Sequence, residues 1–76
     1  MTKIKAVIIG ASGYTGAELL RLLITHPSVD VVGLVAESNA GKEIASIYPQ
    51  FSALTLPRIV KLDEIDFKNV DVAFCC

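Results

Sequence analysis

Ile4-Lys5-Ala6-Val7-Ile8-Ile9-Gly10-Ala11-Ser12-Gly13-Tyr14-Thr15-Gly16-Ala17-Glu18-Leu19-Leu20 decides the fold of this chain. A run rich in Val and Ile, a turn with three glycines and an apolar-periodic stretch follow one another without a break. They predict a buried strand at Ile4–Ile9, a glycine-rich turn, and a helix over residues 14–25. Leu19, Leu20, Leu22, Leu23 and Ile24 supply a broad apolar helical face, and Thr15 with Glu18 three residues on has capping-box spacing. A glycine turn that opens a helix leaves backbone N–H groups unpaired where the helix dipole adds partial positive charge. That combination suits an anion.

Working outward, Pro27 closes the helix, because the residue before a proline is pushed out of the α region. Val29-Asp30-Val31-Val32-Gly33-Leu34-Val35-Ala36 reads as a second strand, reached by a short linker, as in a right-handed βαβ unit. A polar turn follows, Glu37-Ser38-Asn39-Ala40-Gly41-Lys42, and then a short helix over residues 42–48 stopped by Pro49. Residues 50–57 read as irregular and 58–61 as a brief strand or extended connection. Leu62 to Phe67 forms one helical turn with Asp63 as its cap, and residues 70–76 are the third clear strand. The fold class is α/β, a parallel sheet with helices.

The chain has 76 residues, about half the length of a complete dinucleotide-binding domain, so it reads as the start of a larger protein. It is 53% hydrophobic with a mean hydropathy of +0.57, values that fit a packed α/β core and not a disordered chain. A net charge of −1, with seven scattered Lys and Arg, carries no electrostatic footprint for nucleic acid. No apolar run reaches the roughly 18 residues of a membrane helix. Met1-Thr2-Lys3 runs straight into the strand pattern without a signal segment, as expected of a cytoplasmic protein starting at Met1. Cys75 and Cys76 are adjacent, badly placed for a structural disulfide, and read as two buried strand thiols.

The glycine spacing is G-x-x-G-x-x-G, and its context of strand before and helix after points to dinucleotide binding rather than to turn packing alone. Gly10 allows the sharp turn off the strand, Gly13 the close approach of a phosphate, and Gly16 tight packing of the helix. About 20 residues past the last glycine such folds read the adenosine ribose. Glu37 there argues for NAD; Ser38 and Lys42 argue for a 2′-phosphate and NADP. The choice turns on a one-residue register. Gly41-Lys42 is no phosphate loop, since Ala36 and Glu43 stand where that motif needs Gly and Ser or Thr. His26 reads as structural at a helix end, and Asp63, Glu64 and Asp66 as a solvated cap.

Gly10 to Leu19, followed by Leu22-Leu23 and His26-Pro27, resembles the N-terminus of the N-acetyl-gamma-glutamyl-phosphate reductases, within the semialdehyde dehydrogenase group. Ala40-Gly41-Lys42, Ile47-Tyr48-Pro49, Leu62-Asp63-Glu64-Ile65 and Val70 to Phe74 extend the resemblance over essentially the whole chain. It implies a Rossmann-type NAD(P)-binding domain, here its N-terminal part, in a protein that reduces N-acetyl-γ-glutamyl phosphate with NADPH. It further implies that Gly10, Ser12, Gly13, Tyr14, Thr15 and Gly16 hold NADP phosphates and that Ser38 lies near the 2′-phosphate. The family's catalytic cysteine and histidine fall beyond residue 76, so Cys75 and Cys76 are not the nucleophile and residues 1–76 alone are expected to be inactive. The implied partner is a small acyl-phosphate substrate, with no nucleic acid and no membrane, and the full-length protein is expected to be a cytoplasmic homo-oligomer. The aspartate- and lysine-pathway relatives, and a non-catalytic NADP-binding module, share the same entry motif.

Overall fold

Val and Ile without polar alternation make a strand that is covered on both faces, and Ala6, Val7 and Ile8 have no exposed surface. The computed structural model describes residues 3–76; the expectation placed on the Met1 start lies outside the described residues. In chain order the elements are β1 (Ile4–Ile9), α1 (Tyr14–Ile24), β2 (Val29–Val35), α2 (Ile44–Ile47), β3 (Ile59–Val60) and β4 (Val72–Cys75). Three 3₁₀ turns lie at Pro49–Phe51, Leu62–Glu64 and Phe67–Asn69. The strands form one sheet in the order β3-β2-β1-β4, and every neighbouring pair is parallel.

The register sets Ile59, Leu34, Ile8 and Phe74 side by side across the sheet, and the first three are fully buried. Ala17 and Leu20 of α1, Ile44 of α2 and Phe51 pack with this row to make the core. Each fully buried Leu or Ile contributes roughly 1.5–3 kcal/mol relative to an exposed one. One irregularity interrupts β1 and β2: Ala6 pairs with Val31 but Val7 with Gly33, which leaves Val32 as a bulge. On its outer side β3 is covered by the polar turn, since the Gly41 N–H donates to the Ile59 carbonyl at 2.6 Å and the Ile59 N–H to the Lys42 carbonyl at 2.9 Å. A covered edge offers no template for a further strand.

Four local expectations are corrected. The apolar face of α1 is narrower than Leu19 to Ile24 suggested: Leu22 is 53% exposed, because at 100° per residue it lies nearly opposite Leu20. The short helix spans only Ile44–Ile47, and Pro49 opens a 3₁₀ turn instead of beginning irregular chain. Asp63 is not the cap of its turn. The turn starts after Lys61, whose N–H donates to Glu64 Oε2 at 2.8 Å, and Asp66 caps the following turn by accepting from the Lys68 N–H at 3.1 Å. Cys75 and Cys76, read as buried strand thiols, are exposed within residues 3–76, where β4 pairs with β1 alone.

Candidate functional site

The strand-to-helix turn is built at the carboxyl end of the central strand. Gly10 turns the chain with φ +88°, a conformation L side chains rarely adopt. The Gly10 and Ala11 N–H groups both donate to the Val35 carbonyl, at 2.8 and 3.0 Å, and latch the turn to the end of β2. On the other side the Cys76 N–H donates to the Ile9 carbonyl at 3.0 Å. The turn thus sits over β1 with a strand end on either flank, the place where open parallel sheets bind ligands.

Gly13 caps α1 with extended backbone and no side-chain hydrogen bond. Thr15 is therefore not the cap: it already lies inside the helix, and Glu18 closes no capping box. Glu18 pairs instead with Arg21 one turn on, and the Arg21 hydrogen bond holds its carboxyl below the ordinary value. With no side chain capping the helix, the N–H groups of Ser12, Tyr14, Thr15 and Gly16 donate to no partner among the described residues. An eleven-residue helix adds the partial positive charge of its dipole at the same point.

The three glycines have different tasks. A Cβ at Gly16 would lie 2.4 Å from the Gly10 carbonyl oxygen and 2.8 Å from Ala11 Cα, so Gly16 is required by the chain's own packing. A Cβ at Gly10 would lie 2.9 Å from the Cys76 carbonyl oxygen. At Gly13 a Cβ would meet only the Gly10 oxygen, at 3.6 Å, so the space before the free N–H groups is open. Unpaired donors, a bare surface and the helix dipole together suit an anion such as a phosphate. Ser12 is half-buried beside this space, Thr15 is exposed, and Tyr14 is 88% exposed at its rim.

Past β2, Glu37, Ser38 and Lys42 are all exposed, so exposure does not choose between them. The turn that carries them is firmly set: the Ala36 N–H donates to the Val60 carbonyl at 3.1 Å, and Gly41 adopts φ +90°. Arg58, read from the sequence only as part of a brief strand or extended connection, brings its guanidinium 2.9 Å from the Gly41 carbonyl and adds a second cation to this turn. Tyr48 also escaped sequence reasoning as a site residue; its hydroxyl donates to the Ser12 carbonyl at 2.9 Å across 36 residues. The Tyr48-Pro49 step was its only signal.

A cavity of about 640 Å³ lies elsewhere, among Val7, Val32, Gly33, Val60 and Ile65, and includes no residue of the glycine turn. His26 serves its own turn, with Nδ1 accepting from the Ser28 N–H at 3.1 Å. Among the described residues no three His, Cys, Asp or Glu are grouped to hold a metal, and no helix is long and apolar enough to cross a membrane.

The family model for the semialdehyde dehydrogenase NAD-binding domain matches residues 5–76. An N-acetyl-gamma-glutamyl-phosphate reductase of Cereibacter sphaeroides is 54% identical over 68 residues, covering 90% of this chain and 20% of that protein. One from a Jannaschia species is 49% identical over 75 residues, covering 99% of this chain and 22% of its own length. The chain thus spans about a fifth of the length of these relatives. Among solved structures, aspartate semialdehyde dehydrogenase with NADP from Candida albicans superposes with a TM-score of 0.77 at 29% identity, covering 97% of this chain and 23% of that one.

Proposed function

Because this chain belongs to the semialdehyde dehydrogenase family through its NAD-binding domain, we propose that it forms the cofactor-binding entry of an NADPH-dependent reductase. The substrate is N-acetyl-γ-glutamyl phosphate and the product N-acetyl-glutamate semialdehyde, a step of arginine biosynthesis. The observation that carries the cofactor reading is the row of unpartnered N–H groups at Ser12, Tyr14, Thr15 and Gly16 beside the bare surface of Gly13. The substrate reading is supported by 45–54% identity to N-acetyl-gamma-glutamyl-phosphate reductases over about nine-tenths of the chain.

Bound NADPH supplies the hydride that takes the acyl group to the aldehyde. This chain's residues bind and orient. The N–H groups of Tyr14, Thr15 and Gly16 donate to the pyrophosphate, the hydroxyls of Ser12 and Thr15 add donors, and Gly10 and Gly13 keep the approach open. Ser38 hydrogen-bonds the 2′-phosphate, with Lys42 neutralising its charge. Residues 1–76 are a partial dinucleotide-binding domain, and the nucleophile, the acid/base group and the substrate pocket lie outside them. The complete protein acts on this small molecule in the cytoplasm as a homo-oligomer.

A second reading has support in the likeness to the Candida aspartate enzyme: the substrate would be an aspartyl phosphate. The test is the reverse reaction in the complete polypeptide as its gene encodes it. NADP⁺ reduction should require both inorganic phosphate and N-acetyl-glutamate semialdehyde. Faster turnover of aspartate semialdehyde would favour the second reading, and turnover of neither would sink both.

A further inference from the structure

We propose that Tyr48 is a positioning residue for the phosphate-binding turn: its hydroxyl holds the Ser12–Gly13 peptide, and with it the path of the turn that presents the free N–H groups to a bound pyrophosphate. This rests on the dinucleotide reading above. Gly13 accepts more backbone conformations than any other residue, so the peptide preceding it is the point in the turn where a flip costs least. A flip would turn the Ser12 carbonyl oxygen towards the Gly10 carbonyl, which now accepts from the Gly13 N–H, and the repulsion would displace the turn that carries the free donors.

Two hydrogen bonds oppose that flip, one at each end of the same peptide. Tyr48 Oη donates to the Ser12 carbonyl at 2.9 Å, and the Gly13 N–H donates to the Gly10 carbonyl at 3.2 Å. The second bond lies within the turn and would be lost with the flip; only the first ties the peptide to a separate part of the fold.

Tyr48 is well held for this task. Its N–H donates to the Ile44 carbonyl at 2.9 Å, its carbonyl accepts from the Phe51 N–H at 3.0 Å, and Pro49 follows. The half-buried ring meets Phe51 of the core edge-on at 6.3 Å and Tyr14 at the rim of the turn at 6.4 Å. A hydroxyl on a ring so fixed cannot follow a flipped peptide, so the flipped state loses the bond outright.

The experiment compares wild type and Tyr48→Phe in the complete polypeptide by calorimetric titration with 2′,5′-ADP and with adenosine 2′-monophosphate. Only the first ligand carries the 5′-phosphate that the turn would hold. Tyr48→Phe should weaken 2′,5′-ADP about five- to tenfold and leave adenosine 2′-monophosphate within about twofold. Equal weakening of both ligands would mean general loosening, and unchanged 2′,5′-ADP affinity would mean that the hydroxyl does not position the turn; either result overturns the proposal. Wild type that binds neither ligand would instead overturn the dinucleotide reading on which the proposal stands. Amide exchange in wild type gives a check independent of the variant's folding. The Gly13 amide should exchange more slowly than those of Tyr14 and Thr15, and exchange as fast as theirs would refute a fixed peptide.

Discussion

A methyl group on Gly16 would be driven against the Gly10 carbonyl oxygen at 2.4 Å and Ala11 Cα at 2.8 Å, both backbone atoms that cannot swing aside. Alanine is the better helix former by about 1 kcal/mol, yet overpacking against a fixed neighbour costs about 1–3 kcal/mol and disturbs the turn as well. Gly16→Ala is therefore expected to destabilise the protein by about 2 kcal/mol in chemical denaturation, since the clash outweighs the gain in helix propensity. A stability equal to wild type would show that the turn can open and would remove the packing role from Gly16. The spacing of Gly10, Gly13 and Gly16 was legible as a turn between strand and helix. Which glycine serves the chain and which leaves room for a ligand was not, because that depends on what a Cβ would touch. Thr15 misled for a related reason: a capping box needs a residue in extended backbone, and only the three-dimensional turn places that conformation at Gly13.

Helix α1 shows the same division among whole elements. Its existence and its ends near Tyr14 and Ile24 follow from periodicity and Pro27, while its buried stripe depends on the sheet it meets. Leu20 is fully enclosed by the sheet row of Ile8 and Leu34, whereas Leu22 is more than half exposed. Leu20→Ala should cost about 2–5 kcal/mol through the cavity it leaves, and Leu22→Ala no more than about 0.5 kcal/mol. Denaturant midpoints of the two variants check this, and comparable losses would mean that Leu22 is covered in the protein as it exists. Strands β1, β2 and β4 were readable from Val- and Ile-rich runs. Short elements were read less sharply: residues 58–61 stood open between a strand and a connection, Leu62 to Phe67 was read as one turn where two 3₁₀ turns form, and the turn at Pro49–Phe51 was missed, because such brief elements carry no periodicity. Tyr48 belongs here too, since its partner lies 36 residues away and no local pattern announces such a bond.

At the scale of the whole molecule, the order β3-β2-β1-β4 brings the glycine turn and the polar turn after β2 to the same end of the sheet. A ligand that bridges them should stabilise the folded state by mass action, by about 2.7 kcal/mol at a concentration of 100 times its Kd. If Ser38 and Lys42 meet a 2′-phosphate as proposed, 2′,5′-ADP at equal concentration is expected to raise the thermal midpoint more than ADP. A larger shift with ADP would hand the ribose to Glu37 and make the cofactor NAD. By itself the sequence determined the α/β class, the buried central strand, the helix that follows it and the glycine turn between them, because strand and helix periodicities and glycine conformations are local properties. Tertiary structure alone decided the strand order, the separate tasks of Gly13 and Gly16, and the bond from Tyr48 to Ser12. Each of these depends on which distant atoms come within a few ångströms, and residues far apart in the chain meet only once the sheet has formed.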